Sequence, residues 1–419
     1  MASQAASSGA GNRVIIAAAG VVMQVALGAV YAWSVFRAAL TEQYGASVSA
    51  VNATFSITIL TLGFAAFFGG LWMGRSGPRI VALTAGVLYG IGVFLASFAG
   101  NSLVVLYLSY GLIAGIGIGL GYIVPVATLI KWFPDKRGFI TGVAVAGFGG
   151  GAFVTAFIAE ALVSSIGVFT TFAVLGVVYL IMVVGAALFM KNPPEGWKPE
   201  GWEPEEEAGS GSSGVNYELG GALKTWQWYA LWALLFLNVT AGIAIIVEAA
   251  PMAQEIAGVS AVVAAGLVSI ISVANAIGRF GWAWLSDAIG RKWVFFTMFL
   301  LQAVLFFLLP LVSVYFLLAT LSFIIVSCYG GGFGTMPAFA ADYFGPANVG
   351  KIYGLMLTAW GVGGVLGPLL ISYILDTSGS YTLAFYIIAG IMLASAVVAF
   401  IVRPPKAEAK APQAEQARA

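Results

Sequence analysis

The chain has 419 residues, 61% hydrophobic and 8% charged, with 18 Lys and Arg against 17 Asp and Glu. Soluble domains carry about 25% charged residues, so this mixture, with a mean hydropathy of +0.99, excludes a soluble fold. A net charge of +1 without a basic block gives no electrostatic footprint for nucleic acid, and the absence of His with a single cysteine, Cys328, removes the usual metal ligands and any intrachain disulfide.

Residues 1–12 are small and polar and read as a disordered stretch of an N-terminal cytoplasmic tail at 1–13. The apolar run at 14–36 is too long for the core of a cleaved leader, so it reads as a first uncleaved span. Further spans fall near 48–73, 79–99, 103–130, 138–163 and 168–190. A hydrophilic linker then occupies 191–222, with Pro-Glu-Glu-Glu at 204–207 and Gly-Ser-Gly-Ser-Ser-Gly at 209–214. Six more spans follow near 223–250, 259–285, 292–311, 313–341, 352–375 and 380–402, and a polar tail covers 404–419. Each run meets the ~20 residues a membrane-crossing helix needs. The expected fold is an all-α membrane protein of twelve transmembrane helices, with six-helix bundles at 14–190 and 223–403. The 54 glycines suit close helix packing in lipid.

The basic residues orient the chain. With both termini cytoplasmic, 16 of the 18 fall in inner segments, only Arg37 in an outer loop and only Arg279 inside the membrane. So one-sided a distribution predicts an N-in, C-in topology, as expected in a bacterial inner membrane.

The halves repeat. Gly74-Arg-Ser-Gly-Pro-Arg79 joins spans two and three, and Ser286-Asp-Ala-Ile-Gly-Arg-Lys292 joins eight and nine about 212 residues later. Lys131-Trp-Phe-Pro-Asp-Lys-Arg-Gly138 matches Asp342-Tyr-Phe-Gly-Pro346 at nearly the same offset, as Gly119-Leu-Gly-Tyr122 matches Gly330-Gly-Gly-Phe333. Two parallel six-span repeats with basic inner loops and a long linker resemble the major facilitator superfamily. That resemblance implies a substrate near the midplane, between halves that rock about it.

Span eight carries Ser269, Ser272, Asn275 and Arg279 at spacings of three, three and four, which places them on one helical face. Ile270, Val273, Ile277 and Phe280 occupy the other. A polar stripe on a greasy helix faces the bundle interior, because lipid cannot satisfy it. The alternative is an arginine snorkelling to the inner surface, since Ser286 lies roughly 10 Å away at 1.5 Å per residue. Asn275, one turn deeper, argues against it. The candidate acids Glu160, Glu248, Asp287 and Asp342 sit near span ends rather than at the depth of Arg279. A lone guanidinium suits a small carboxylate, which it grips through two parallel hydrogen bonds.

Aromatic candidates to wall such a pocket are Tyr31, Tyr122, Phe148, Tyr329, Phe333 and Trp360, each beside glycines on an expected lining span; simple space-filling is the alternative for any one of them. The glycine series of span four follows no strand, so a dinucleotide fingerprint fails.

Trp132-Phe-Pro-Asp-Lys-Arg-Gly138 running into Gly142-Val-Ala-Val-Ala-Gly147-Phe-Gly-Gly-Gly151 looks like the span-five signature of monocarboxylate transporters. Gly28-Ala-Val-Tyr31-Ala-Trp33-Ser-Val-Phe36 is similar to the first-span motif of the oxalate/formate antiporter branch, and Arg279-Phe-Gly-Trp-Ala-Trp-Leu-Ser-Asp-Ala-Ile-Gly-Arg291 to that branch around its substrate-binding arginine. The resemblance runs over nearly the whole chain and implies a bacterial monocarboxylate transporter of the kind that moves lactate. Two departures stand out. Aligning Tyr353-Gly354 on the antiporter's Tyr-Gly step puts Trp360 where that branch has a second cation, a lysine. Asn275 replaces the acid that animal monocarboxylate transporters place before the arginine, and 14–36 holds no lysine.

The expected function is therefore secondary transport of a small monocarboxylate, lactate first, by alternating access with a proton as the coupled partner. Arg279 would hold the carboxylate, Asn275 would orient it or bond a substrate hydroxyl, and the six aromatics would shape the cavity. Exchange against another anion and a non-transporting receptor of the same fold are the alternatives. No metal, cofactor or catalytic role is expected.

Overall fold

The computed structural model describes residues 2–199, 201, 216–378 and 380–405, leaving most of the linker's acidic stretch and the tail from 406 outside the described residues. The described residues form helices joined by short loops, and no strand. Its N-terminal half runs α1 (Ala2–Gly28), a 3-10 turn (Ala29–Ala32), α2 (Trp33–Tyr44), α3 (Val48–Ser76), α4 (Pro78–Leu95), α5 (Leu103–Leu106), a π-helical stretch (Tyr107–Ala114), α6 (Gly115–Trp132), α7 (Arg137–Ile166) and α8 (Val168–Ala187). After a short α9 (Leu219–Ala222) come α10 (Trp226–Ala257), α11 (Ala261–Ile289), α12 (Arg291–Leu308), α13 (Tyr315–Phe344), α14 (Val349–Met356), α15 (Thr358–Ser378) and α16 (Tyr381–Ile401). Among the described residues, 11 helical segments are long and apolar enough to cross a membrane. The remaining long helix, α11, has 29 residues and carries Arg279.

Local chemistry sets the helix ends. At the end away from the basic loops, serines start helices: Ser47 accepts from the Ala50 amide at 3.2 Å and Ser102 from that of Val105 at 3.4 Å. At the basic end, α3 and α11 stop at Gly77 (φ 76°) and Gly290 (φ 90°), matching positions of the two repeated loops. One boundary differs from expectation. Residues 2–12 continue α1 rather than forming a disordered tail; their alanines add low-cost turns to a helix already nucleated in the apolar run.

The two halves meet along α7 against α11 and α3 against α14 and α15. Within the C-terminal half α11 lies on α13, and there the backbones nearly touch. A side chain at Gly278 would run into the Ser327 carbonyl, and one at Gly334 into the carbonyl of Arg279. Ile270, Val273, Ile277 and Phe280 are exposed on the outer face of α11 while Asn275 and Arg279 are buried. Gly278→Val is expected to cost about 1–3 kcal/mol by overpacking, seen as a lower melting temperature in detergent and less folded protein. An unchanged melting curve would mean that α11 and α13 sit further apart than described.

Candidate functional site

Arg279 is fully buried where α11 faces both halves. Its Nε donates to Asn275 Oδ1 at 3.0 Å, one turn earlier on α11, which fixes the plane of the guanidinium. Among the described residues its Nη1 and Nη2 make no hydrogen bond of ordinary geometry, with the Tyr122 ring nearby. The guanidinium carbon lies 4.8 Å from the centre of the Phe333 ring and 5.4 Å from that of Phe148, so cation–π attraction from α13 and α7 partly offsets its desolvation. A charge so placed has two donor groups left over for another acceptor.

The rings around it form one cluster. Phe148 contacts Tyr31 at 5.4 Å, Tyr122 at 5.3 Å and Trp360 at 5.7 Å, and Trp360 in turn contacts Tyr122 at 5.4 Å and Phe333 at 4.6 Å. Tyr329 stacks edge-on against Phe333 at 5.2 Å, and its hydroxyl meets the Tyr31 hydroxyl at 3.2 Å across the two halves. Local breaks present several of these rings: Tyr31 lies in the 3-10 turn after α1, and Trp360 follows the break at Leu357 between α14 and α15. The structure thus brings together all eight residues singled out in the sequence: Arg279, Asn275, Tyr31, Tyr122, Phe148, Tyr329, Phe333 and Trp360. It adds Tyr353, fully buried on α14 and in electrostatic range of Arg279. The Tyr-Gly step that served only to align span eleven was its one trace in the sequence.

Among the described residues, three buried groups near the guanidinium lack a hydrogen bond of ordinary geometry: the hydroxyls of Tyr122 and Tyr353, which lie beside each other, and the indole Nε1 of Trp360, which lies beside Tyr329. Burying such a group without a partner costs about 1–3 kcal/mol. Three such groups beside one buried guanidinium make this the most polar spot in an otherwise apolar core.

The expected stripe on α11 is narrower than its spacing suggests. Ser269 is exposed and Ser272 half-buried, so only Asn275 and Arg279 turn fully inward. Among the described residues no carboxylate is buried. Glu248 accepts from the Tyr381 hydroxyl at 2.9 Å near the far end, and the side chain of Glu160 lies outside the described residues.

At the basic end the remaining two acids join the halves. Asp342, on α13, accepts from Arg137 of α7 at 3.0 Å and from Arg291 of α12 at 3.0 Å. Asp287, on α11, accepts from the amides of Gly138 and Phe139 at 3.0 and 2.7 Å, the first turn of α7, where a helix favours an anion. Arg291 also pairs with Asp287. This network closes one end of the seam beneath Arg279.

Comparison with known proteins identifies the family. The family model described as Major Facilitator Superfamily matches residues 16–283 and 231–419. The chain is 30% identical to the uncharacterized MFS-type transporter YhjX of Escherichia coli (strain K12), covering 82% of this chain and 84% of that one. It is 26% identical to the oxalate:formate antiporter of Oxalobacter formigenes over 97% of this chain and 96% of the antiporter. It is also 26% identical to monocarboxylate transporter 13 of Rattus norvegicus, over 87% and 81% of the two chains.

Proposed function

The chain belongs to the Major Facilitator Superfamily as a secondary transporter rather than an enzyme, and from that premise we propose that its cargo is a small monocarboxylate, lactate first. The observation that carries the proposal is the buried guanidinium of Arg279 with both terminal nitrogens unpartnered. A carboxylate accepts from both at once, and such charge-assisted pairs are about twice as strong as neutral hydrogen bonds. One cation matches one carboxylate; with Trp360 in place of a second cation, a dicarboxylate would bury an uncompensated charge at a cost of several kcal/mol. The two tyrosine hydroxyls and the indole N–H outnumber what a bare carboxylate can use, and an indole only donates. A second oxygen on carbon 2 of the substrate satisfies that donor, which ranks lactate, glycolate and pyruvate above acetate and propionate.

Membership of this superfamily and the one-sided basic loops support an inner-membrane protein with cytoplasmic termini that works by alternating access. We assign the coupling to a proton that travels with the substrate, on its carboxyl or relayed by water beside Arg279, since no buried carboxylate exists among the described residues to carry it. Loading then neutralises the site, and the neutral complex reorients. The same lack of a carboxylate, together with likeness to an antiporter, favours exchange against another anion as the second reading.

Uptake of labelled lactate into proteoliposomes tests both. An inward proton gradient is expected to drive accumulation, a protonophore to abolish it, and lactate, glycolate and pyruvate to compete better than acetate or propionate. Uptake that ignores the gradient and requires internal anion establishes exchange. Equal competition by acetate removes the role given to the second oxygen.

A further inference from the structure

Two of the site's tyrosines are held from behind in the same way. In the N-terminal half, Gln24 of α1 donates through Nε2 to the backbone carbonyl of Tyr122 at 3.2 Å. In the C-terminal half, Asn238 of α10 donates through Nδ2 to the carbonyl of Tyr329 at 3.1 Å and to that of Cys328 at 3.4 Å. Both amides are fully buried. They occupy corresponding helices, the first of each six-helix repeat, and grip corresponding helices, the fourth. Asn238 is itself held, since its Oδ1 accepts from Gln302 of α12 at 3.1 Å. Gly332 makes the approach possible, because any side chain there would strike Asn238 Nδ2.

The segments they grip are weak helices by composition. Gly119 and Gly121 precede Tyr122, and Pro125 follows it within one turn. Gly330, Gly331, Gly332 and Gly334 surround Phe333, and Pro337 follows. Each proline lacks the N–H that would bond the carbonyl four residues earlier, at Gly121 and at Phe333, and its ring pushes that carbonyl away. Glycine adds its own penalty in a helix interior. The ladder is thus weakest beside the rings that face Arg279, and a bond from a neighbouring helix to a nearby carbonyl adds an anchor that the ladder itself does not supply.

We propose that Gln24 and Asn238 are positioning residues that set substrate affinity by pinning Tyr122 and Tyr329, one clamp in each half. Each half then carries its tyrosine as a rigid body, and reorientation occurs between the halves rather than within them. The proposal rests on the monocarboxylate reading of the site, and one part of its test is independent of that reading.

Gln24→Met and Asn238→Leu keep side-chain bulk while removing the donor. Each is expected to raise KM for lactate about fivefold to tenfold, the loss of one net hydrogen bond, with the maximal rate within twofold of wild type. In a Tyr122→Ala background Gln24→Met is expected to add little, and likewise Asn238→Leu in a Tyr329→Ala background, because the clamps act through those residues. The substrate-independent part uses Cys328, the only cysteine and fully buried. Asn238→Leu should speed its labelling by a maleimide at a temperature where both proteins remain folded. Unchanged KM, effects additive with the tyrosine variants, or a fall in maximal rate alone each overturn the proposal. If the wild type takes up no lactate, the monocarboxylate reading fails, and the labelling rate alone decides the clamp at Asn238. Should the apolar variants fail to insert, Gln24→Asn and Asn238→Ser shorten the reach of the same groups and carry the same two outcomes.

Discussion

Replacing Arg279 with methionine is expected to abolish lactate transport and, in the same protein, to leave the empty transporter at least as heat-stable as the wild type. The two signs come from one fact: the guanidinium is fully buried with Nη1 and Nη2 unpartnered. An unloaded protein that holds an uncompensated charge is destabilised by it, and replacing buried charge by an apolar side chain of similar volume is often neutral or stabilising. The loaded protein has the opposite balance. Truncating one partner of a buried, hydrogen-bonded charge pair costs about 2–5 kcal/mol, an affinity loss on the order of 30-fold to several thousandfold. Arg279→Lys keeps the charge but replaces the planar fork with a point charge and removes the Nε donor that Asn275 now accepts. An intermediate loss is expected there. Calorimetric titration with lactate and a thermal scan of the empty protein read both signs. Retained lactate affinity in Arg279→Met would move the site elsewhere, and a large drop in melting temperature would make Arg279 a structural residue instead.

The twelve spans were legible because lipid imposes a length and a composition on each of them, and Arg279 because a cation in such a stretch has few reasons to exist. Asn275 followed from its spacing, and the rings from their place beside glycines on the expected lining helices. What was not legible depends on tilt and on contacts between distant segments. Spacing alone placed Ser269 on the same face as Arg279, yet it is exposed, since a face read from periodicity does not say how far along the helix the neighbours extend. Tyr353 is not part of any polar stripe and is brought to Arg279 by the packing of α14. Gln24 is one amide in an apolar run, and nothing before the fold shows that it reaches Tyr122 across 98 positions. Asp287 and Asp342 could be placed near span ends from the sequence, but not their partners on α7 of the opposite half.

Asp342→Asn is expected to open the basic end and shift the protein toward the state facing that side, which is the cytoplasm in the topology proposed here. Asp342 accepts from Arg137 across the seam and from Arg291 within its own half, and the side chains are only 12–19% exposed, so water screens these pairs little. Arg291 keeps Asp287 and Ser286 after the substitution, whereas Arg137 loses its ion pair with Asp342. The bond lost is therefore the one between halves. A coupling of about 1–3 kcal/mol, typical between linked sites, moves a two-state equilibrium roughly 5-fold to 150-fold. The visible result is a longer distance between spin labels placed at the basic ends of α7 and α13, together with weaker binding of lactate from the opposite side. Arg137→Gln should reproduce the shift, and the double variant should add little to either single one, since both remove the same contact. Asp287→Asn is the comparison. An amide oxygen can still accept from Gly138 or Phe139, so a smaller shift is expected from it than from Asp342→Asn. Unchanged label distances in Asp342→Asn, or additive effects in the double variant, would show that the closed seam is held by the packing of α7 on α11 and α3 on α14, with the ion pairs riding on it.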